Sequence, residues 1–85
     1  MSDHATDFVG SIDDAIIAGV RAVMPDAVVE VAGGGGHYRI AVTSTAFEGK
    51  ALLARQRLVL GAIKHLLAGN APPVHAVDSL ETRTP

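Results

Sequence analysis

The sequence contains no cysteine and no tryptophan, and aromatic residues account for 4% of its 85 positions. Because there is no cysteine, the chain forms no disulfide and offers no thiolate to a metal ion. The scarcity of aromatic rings leaves valine, isoleucine, leucine and alanine to fill the interior, and 48% of the residues are apolar. A chain of this length supports one modest core, so we expect a single small domain.

Long apolar runs are also missing from the sequence. No window approaches the roughly 18 apolar residues that a membrane-spanning helix requires. The amino terminus carries Asp3 and Asp7, whereas a secretory signal begins with basic residues. We therefore expect a cytoplasmic protein without membrane association, in which residues 1–10 form a flexible lead-in and residues 11–85 form one domain.

The net charge of −2 gives no strong attraction to nucleic acid. Basic residues are nevertheless concentrated in the segment 50–68, which holds four of them and no acidic residue. They are Lys50, Arg55, Arg57 and Lys64. This basic set is either an ordinary solvated helix face or a surface for phosphate groups. The first interpretation is favoured because few aromatic residues are available for stacking on bases.

The first regular element is a helix that begins after Ser11. Ser11 and Asp14 have the spacing of a capping box, and apolar residues follow at helical intervals, among them Ile16 and Val20. Pro25 is expected to end this helix at about Met24.

Two strands and a glycine-rich connection follow. The sequence predicts strands at residues 27–32 and 37–43, joined by the four glycines 33–36 into an antiparallel hairpin. In the second strand Tyr38, Ile40 and Val42 share one face. A phosphate-binding loop is disfavoured, because these glycines connect strand to strand and no helix amino terminus follows them.

An uninterrupted helix is expected from Ala51 to Ala68, preceded by a short turn that carries Phe47. Large apolar residues recur through it at intervals of three and four, which predicts one buried face with Gln56 in its middle. A third strand is predicted from Val74 to Leu80 or Thr82. Together these elements predict an α+β fold of two layers, with a three-stranded mixed sheet and the helices on one face. The expected core is Ile16, Val20, Val29, Ile40, Val42, Leu53, Leu60, Ile63 and Leu67.

Few residues suggest chemistry. There is no cysteine nucleophile and no Gly-x-Ser-x-Gly motif, so we do not expect an enzyme. His75 lies near the start of the third strand and His37 at the base of the hairpin. On the sequence alone, a single histidine at a strand edge is more often a hydrogen-bonded structural residue than a metal ligand.

Five segments, in order and in register, resemble the BolA family, most closely its IbaG (YrbA-like) branch. They are Tyr38-Arg39-Ile40-Ala41-Val42, Phe47-Glu48-Gly49-Lys50, Ala54-Arg55-Gln56-Arg57-Leu58-Val59, Val74-His75-Ala76-Val77 and Thr82-Arg83-Thr84-Pro85. The resemblance implies a fold like the type II KH domain, in the order α-β-β-α-α-β. It also implies a role in iron–sulfur homeostasis and stress response with a monothiol glutaredoxin as partner, and for some members DNA binding and transcriptional regulation.

The resemblance further implies particular residues. His75 aligns with the histidine that binds a 2Fe–2S cluster shared with the glutaredoxin and glutathione. A second ligand often lies in the hairpin loop, but that position is Gly34 here, so His37 is the nearest candidate. The alternative, DNA binding, would use Lys50, Arg55, Arg57 and Lys64. The isolated protein is expected to be a monomer or a weak homodimer without a cofactor of its own.

Overall fold

The computed structural model describes residues 11–85, so the predicted lead-in at residues 1–10 lies outside it. The elements are α1 Ile12–Val23, β1 Val28–Gly34, β2 His37–Thr43, a 3-10 turn Thr45–Phe47, α2 Leu52–Ala62, α3 Lys64–Leu67 and β3 Ala76–Arg83. The predicted α+β fold is confirmed. Within residues 11–85, no helix has both the length and the apolar character needed to cross a membrane.

The three strands form a mixed sheet in the order β1-β2-β3. β1 pairs antiparallel with β2, and β2 pairs parallel with β3. β1 extends through Gly33 and Gly34 into the predicted glycine loop, whereas β2 begins at His37 as predicted, so Gly34 faces His37 and only two residues remain in the turn. These are Gly35 and Gly36, whose φ angles of 63° and 87° suit a tight hairpin turn that favours glycine.

The first helix follows its sequence signals. The Ser11 hydroxyl accepts a hydrogen bond from the Asp14 amide (3.2 Å), and the helix ends at Val23, before Pro25. It buries Ile16 and Val20 against the sheet layer. On the facing strand, alternate residues of β2 complete this core, since Tyr38, Ile40 and Val42 are buried as the alternation predicted.

The predicted uninterrupted helix from Ala51 to Ala68 is wrong. α2 ends at Ala62, Ile63 has φ −114° and ψ 15°, and a separate short helix follows. The Ile63 amide bonds the Leu60 carbonyl three residues earlier (3.3 Å), which is the tighter winding found at helix ends. Gly61 lies just before the break, and glycine in a helix costs about 1 kcal/mol relative to alanine. The chain therefore changes direction at Ile63, and Leu66 in the following helix is buried in the core.

The buried face of this segment also differs from the expectation. Leu52, Leu53 and Leu60 are 63%, 57% and 36% exposed, whereas Val59 and Ile63 are fully buried. Leucine occurs all around α2, so apolar spacing alone could not decide which side meets the sheet. The predictions that Leu53 and Leu60 belong to the core are wrong, and Val29 and Leu67 are only partly buried at its margin.

A carboxylate connects the α1–β1 corner to the end of β2. Asp26 accepts hydrogen bonds from the Ser44 hydroxyl (2.7 Å), the Thr45 amide (2.8 Å) and the Thr45 hydroxyl (2.9 Å). The fully buried Ser44 also accepts from the Ala46 amide (3.0 Å). The hydrogen bond from the Ser44 hydroxyl, followed by those from Thr45, holds the pKa of Asp26 below its ordinary value of 3.8.

The corrected helix orientation predicts unequal costs for two substitutions in one segment. Ile63→Ala should lower the free energy of unfolding by roughly 2–5 kcal/mol, because it removes a fully buried side chain. Leu53→Ala should change it by no more than about 0.5 kcal/mol, because that side chain is mostly in solvent. Denaturant unfolding of both variants measures the difference, and equal losses would contradict the orientation of α2.

The Asp26 network predicts a pH-dependent contribution to stability. Because the carboxyl pKa is lowered on folding, its contribution is complete above pH 3.8 and is lost as the pH falls through the native pKa. Asp26→Asn should therefore be less stable than the wild type near neutral pH, and this deficit should shrink in acid. Thermal melts from neutral pH downward test this; a deficit that does not change with pH would contradict the role given to the charge.

Candidate functional site

The start of β3 and the hairpin turn meet at one end of the sheet. Because β3 runs parallel to β2, its first residue, Ala76, lies beside His37, the first residue of β2. The Gly36 carbonyl accepts hydrogen bonds from the amides of both His75 (2.7 Å) and Ala76 (3.0 Å). His75 therefore lies beside the hairpin turn, one residue before the strand begins.

The segment that leads into His75 is anchored by its neighbour. Val74 is fully buried, and its amide donates to the Leu66 carbonyl at the end of the helix layer (3.1 Å). The prediction that β3 begins at Val74 is therefore early by two residues, since Val74 bonds a helix rather than the sheet. This anchor leaves His75 exposed between α3 and the hairpin.

The His75 imidazole lies directly over Gly36. A Cβ atom placed on Gly36 would lie 2.6 Å from the His75 Nδ1 and 2.7 Å from its Cγ, closer than real Cβ contacts. Gly36 is itself buried, although the turn around it is exposed. One face of the imidazole ring is therefore in contact with backbone, while the His75 residue as a whole remains accessible to a partner.

His37 has a different neighbour, which the sequence analysis did not identify. Its Nδ1 lies 3.2 Å from the Asp78 Oδ1, and the two side chains are 60% and 52% exposed. The register of β2 with β3 shifts between Tyr38 and Arg39, which leaves Asp78 as an extra residue in β3. Sequence spacing could not reveal this contact, because it depends on the extra residue that shifts the register of β3 against β2.

The two candidate ligands lie at one end of the sheet, and their side chains have different neighbours. His37 and Arg39 are exposed on β2, while Tyr38 between them is buried under the helices. Partners in a parallel ladder point the same way, so Ala76 shares the open face with His37. His75 lies one residue before this strand begins, and its ring lies on Gly36.

This arrangement limits what the chain can bind by itself. Among residues 11–85 there is no group of three or more histidine, aspartate or glutamate side chains that could hold a metal ion. A 2Fe–2S cluster with mixed ligation takes thiolates as well as imidazole, and the chain has no cysteine. The residues present therefore fit a site in which this chain supplies imidazole and another molecule supplies the sulfur ligands.

The structure separates the predicted basic set into two kinds of residue. Lys50, Arg57 and Lys64 are exposed, as a phosphate-binding surface would require. Arg55 is half-buried: its Nε donates to the Lys50 carbonyl (2.8 Å), and its guanidinium carbon lies 5.9 Å from the centre of the Phe47 ring. Its hydrogen bond and its contact with the ring give Arg55 a structural role at the start of α2.

Comparison with protein families and curated proteins identifies relatives of this chain. The family model described as "BolA-like protein" matches residues 21–85. BolA-like protein 1 of Mus musculus is 36% identical over 86 residues, covering 89% of this chain and 60% of that protein. BolA-like protein 1 of Bos taurus is 49% identical over 49 residues, covering 58% and 33%. The chain thus spans a third to three fifths of the length of these relatives.

Solved structures of similar proteins have the same fold as residues 11–85. A bol-like protein from Babesia bovis has a TM-score of 0.73 and 30% identity, with 91% of each chain covered. The BolA domain of SufE1 from Arabidopsis thaliana has a TM-score of 0.74 and 26% identity, covering 92% of this chain and 96% of that one. The architecture of residues 11–85 is therefore that of these domains.

Proposed function

Because this chain belongs to the BolA-like protein family, we propose that it pairs with a monothiol glutaredoxin to bind or traffic a 2Fe–2S cluster in iron–sulfur homeostasis and the stress response. In this proposal His75 is the main ligand from this chain, and the glutaredoxin and glutathione supply the thiolates. The proposal gives this chain no catalytic role, and the expectations that it is not an enzyme and is cytoplasmic stay predictions.

The observation that carries the proposal is the accessible His75 imidazole beside the hairpin turn. Its backbone is held by the Gly36 carbonyl and, through Val74, by the end of the helix layer. A ligand whose backbone is fixed on both sides loses little conformational freedom when a partner delivers iron, which favours binding. An exposed histidine on a mobile loop would lack this advantage.

The donor chemistry of the chain supports a shared site. Imidazole ligates a cluster iron alongside thiolates in mixed centres, where it replaces part of the sulfur ligation. This chain contributes histidine and no cysteine. A partner with a reactive thiol therefore complements what the chain lacks.

The second ligand is less well supported than the first. His37 belongs to the open face of the sheet and lies against the Asp78 carboxylate. A carboxylate on one ring nitrogen is a common partner of a metal-bound histidine, since it fixes the tautomer and leaves the other nitrogen to ligate. His37 thus remains a candidate for the second ligand.

A second candidate function, transcriptional regulation through DNA binding, rests on the exposure of Lys50, Arg57 and Lys64 in a segment without acidic residues. Two features weaken it. Leu53 and Leu60 are exposed among these basic residues, and the break at Ile63 assigns Lys64 to a separate helix from Arg57. We therefore rank it below cluster binding.

Replacement of His75 tests the main proposal. When wild-type protein is added to a cluster-loaded monothiol glutaredoxin, the visible circular dichroism spectrum should change, because the ligands of the iron change. His75→Ala should abolish that change. His65→Ala is the matched control, since it removes an exposed histidine from the helix layer, and it should behave as the wild type does.

The same titration with His37→Ala decides the second ligand. An intermediate or altered spectrum would assign His37 to the site, whereas a wild-type spectrum would show that another group completes the coordination. A wild-type spectrum from His75→Ala would overturn the proposal itself.

Salt dependence tests the DNA-binding alternative. If Lys50, Arg57 and Lys64 contact phosphates, the logarithm of the affinity for duplex DNA should fall with that of the salt concentration by about 0.9 per contact. Reversing the charges of Arg57 and Lys64 should then reduce this slope by about 2, by the same relation. Reversal of Arg39, which is exposed on the open face of the sheet, is the control. If the affinity for DNA depends neither on the salt concentration nor on these substitutions, the basic set is not the DNA-binding surface.

A further inference from the structure

Two glycines form the hairpin turn, and their surroundings differ. Both have positive φ angles, 63° for Gly35 and 87° for Gly36. A Cβ atom on Gly35 would meet nothing within 4 Å. A Cβ atom on Gly36 would lie 2.6, 2.7 and 3.1 Å from the Nδ1, Cγ and Cε1 atoms of His75. The turn conformation explains a glycine at both positions, but only Gly36 also makes room for a side chain.

The backbone of Gly36 fixes the same histidine. Its carbonyl oxygen accepts hydrogen bonds from the His75 amide (2.7 Å) and the Ala76 amide (3.0 Å). Two bonds to one oxygen hold the chain at His75 close to the turn. The imidazole can lie over the Gly36 Cα from this backbone position because no side chain projects there.

We propose that Gly36 is a positioning residue for His75: its carbonyl fixes the backbone of that residue, and its missing side chain admits the imidazole ring. This inference rests on the proposed role of His75 as a cluster ligand. It adds that the direction of the imidazole is set by the hairpin turn rather than by β3. Gly36 does not itself touch the cluster.

The consequence is that a methyl group at position 36 should misdirect the ligand. In Gly36→Ala the new Cβ would overlap three ring atoms, so the imidazole must rotate away or the two strands must separate. The control is Gly35→Ala, which also places an alanine at a positive φ in the same turn, 63° instead of 87°, but meets no neighbouring atom. Because the two φ angles differ, the comparison rests on the His75 contact measured in folded protein and not on stability.

Two measurements test the inference. In the isolated wild-type protein, nuclear Overhauser effects should connect the His75 ring protons with the Gly36 Hα protons. Gly35→Ala should keep them, and Gly36→Ala should lose them. With cluster-loaded monothiol glutaredoxin, Gly36→Ala should reduce the change in the visible circular dichroism spectrum, as His75→Ala does. Gly35→Ala should give the same change as the wild type.

The outcomes separate this inference from the proposed function. If Gly36→Ala behaves as Gly35→Ala does in both measurements, the positioning role of Gly36 is overturned. The assignment of His75 as a ligand is not affected by that result. A wild-type dichroism change in His75→Ala would instead overturn the ligand assignment. If Gly36→Ala does not fold, the wild-type Overhauser measurement still decides, because absence of the ring-to-Gly36 effects would contradict the contact.

Discussion

The structure depends on the central position of strand β2. It is hydrogen-bonded to both β1 and β3, and three of its alternate residues, Tyr38, Ile40 and Val42, are the sheet's main contribution to the buried core. A strand with neighbours on both sides and helices on one face has little freedom to shift, since a slip of one residue would exchange its buried and exposed side chains. The hairpin turn before β2 and the 3-10 turn after it are therefore positioned by this register.

The candidate site follows directly from that register. Parallel pairing requires the crossover through α2 and α3 to return the chain to the level at which β2 begins. The turn before β2 and the residue before β3 therefore meet, and the Gly36 carbonyl joins them through two hydrogen bonds. At the other end of β2, the Asp26 carboxylate performs a comparable joining role, where it accepts from Ser44 and Thr45. Each end of the central strand is thus tied to the helix layer or to its connections.

The two sides of the sheet offer different surfaces. On the helix side, α2 exposes leucine beside basic residues. On the open side, His37 and Asp78 form a solvent-exposed pair. Exposed pairs of this kind contribute little to stability, so the significance of this one lies in the orientation of His37.

The sequence by itself determined the order of the strands, the first helix and the two-layer architecture. Capping at Ser11, the stop at Pro25 and the alternation through β2 are local signals, and local chemistry is enough to read them. Only the tertiary structure decided which side of α2 is buried. Leucine occurs on several sides of that helix, so the choice of Val59 over Leu53 depends on how the helix docks on the sheet.

The same distinction separates the parts of the candidate site. The resemblance of the sequence to a known family singled out His75. Its contact with Gly36 joins residues 39 positions apart in the sequence and exists only because β3 pairs parallel with β2. The pairing of His37 with Asp78 depends on a one-residue register shift. Contacts of this kind are set by strand register, and register is fixed only when the whole core is packed.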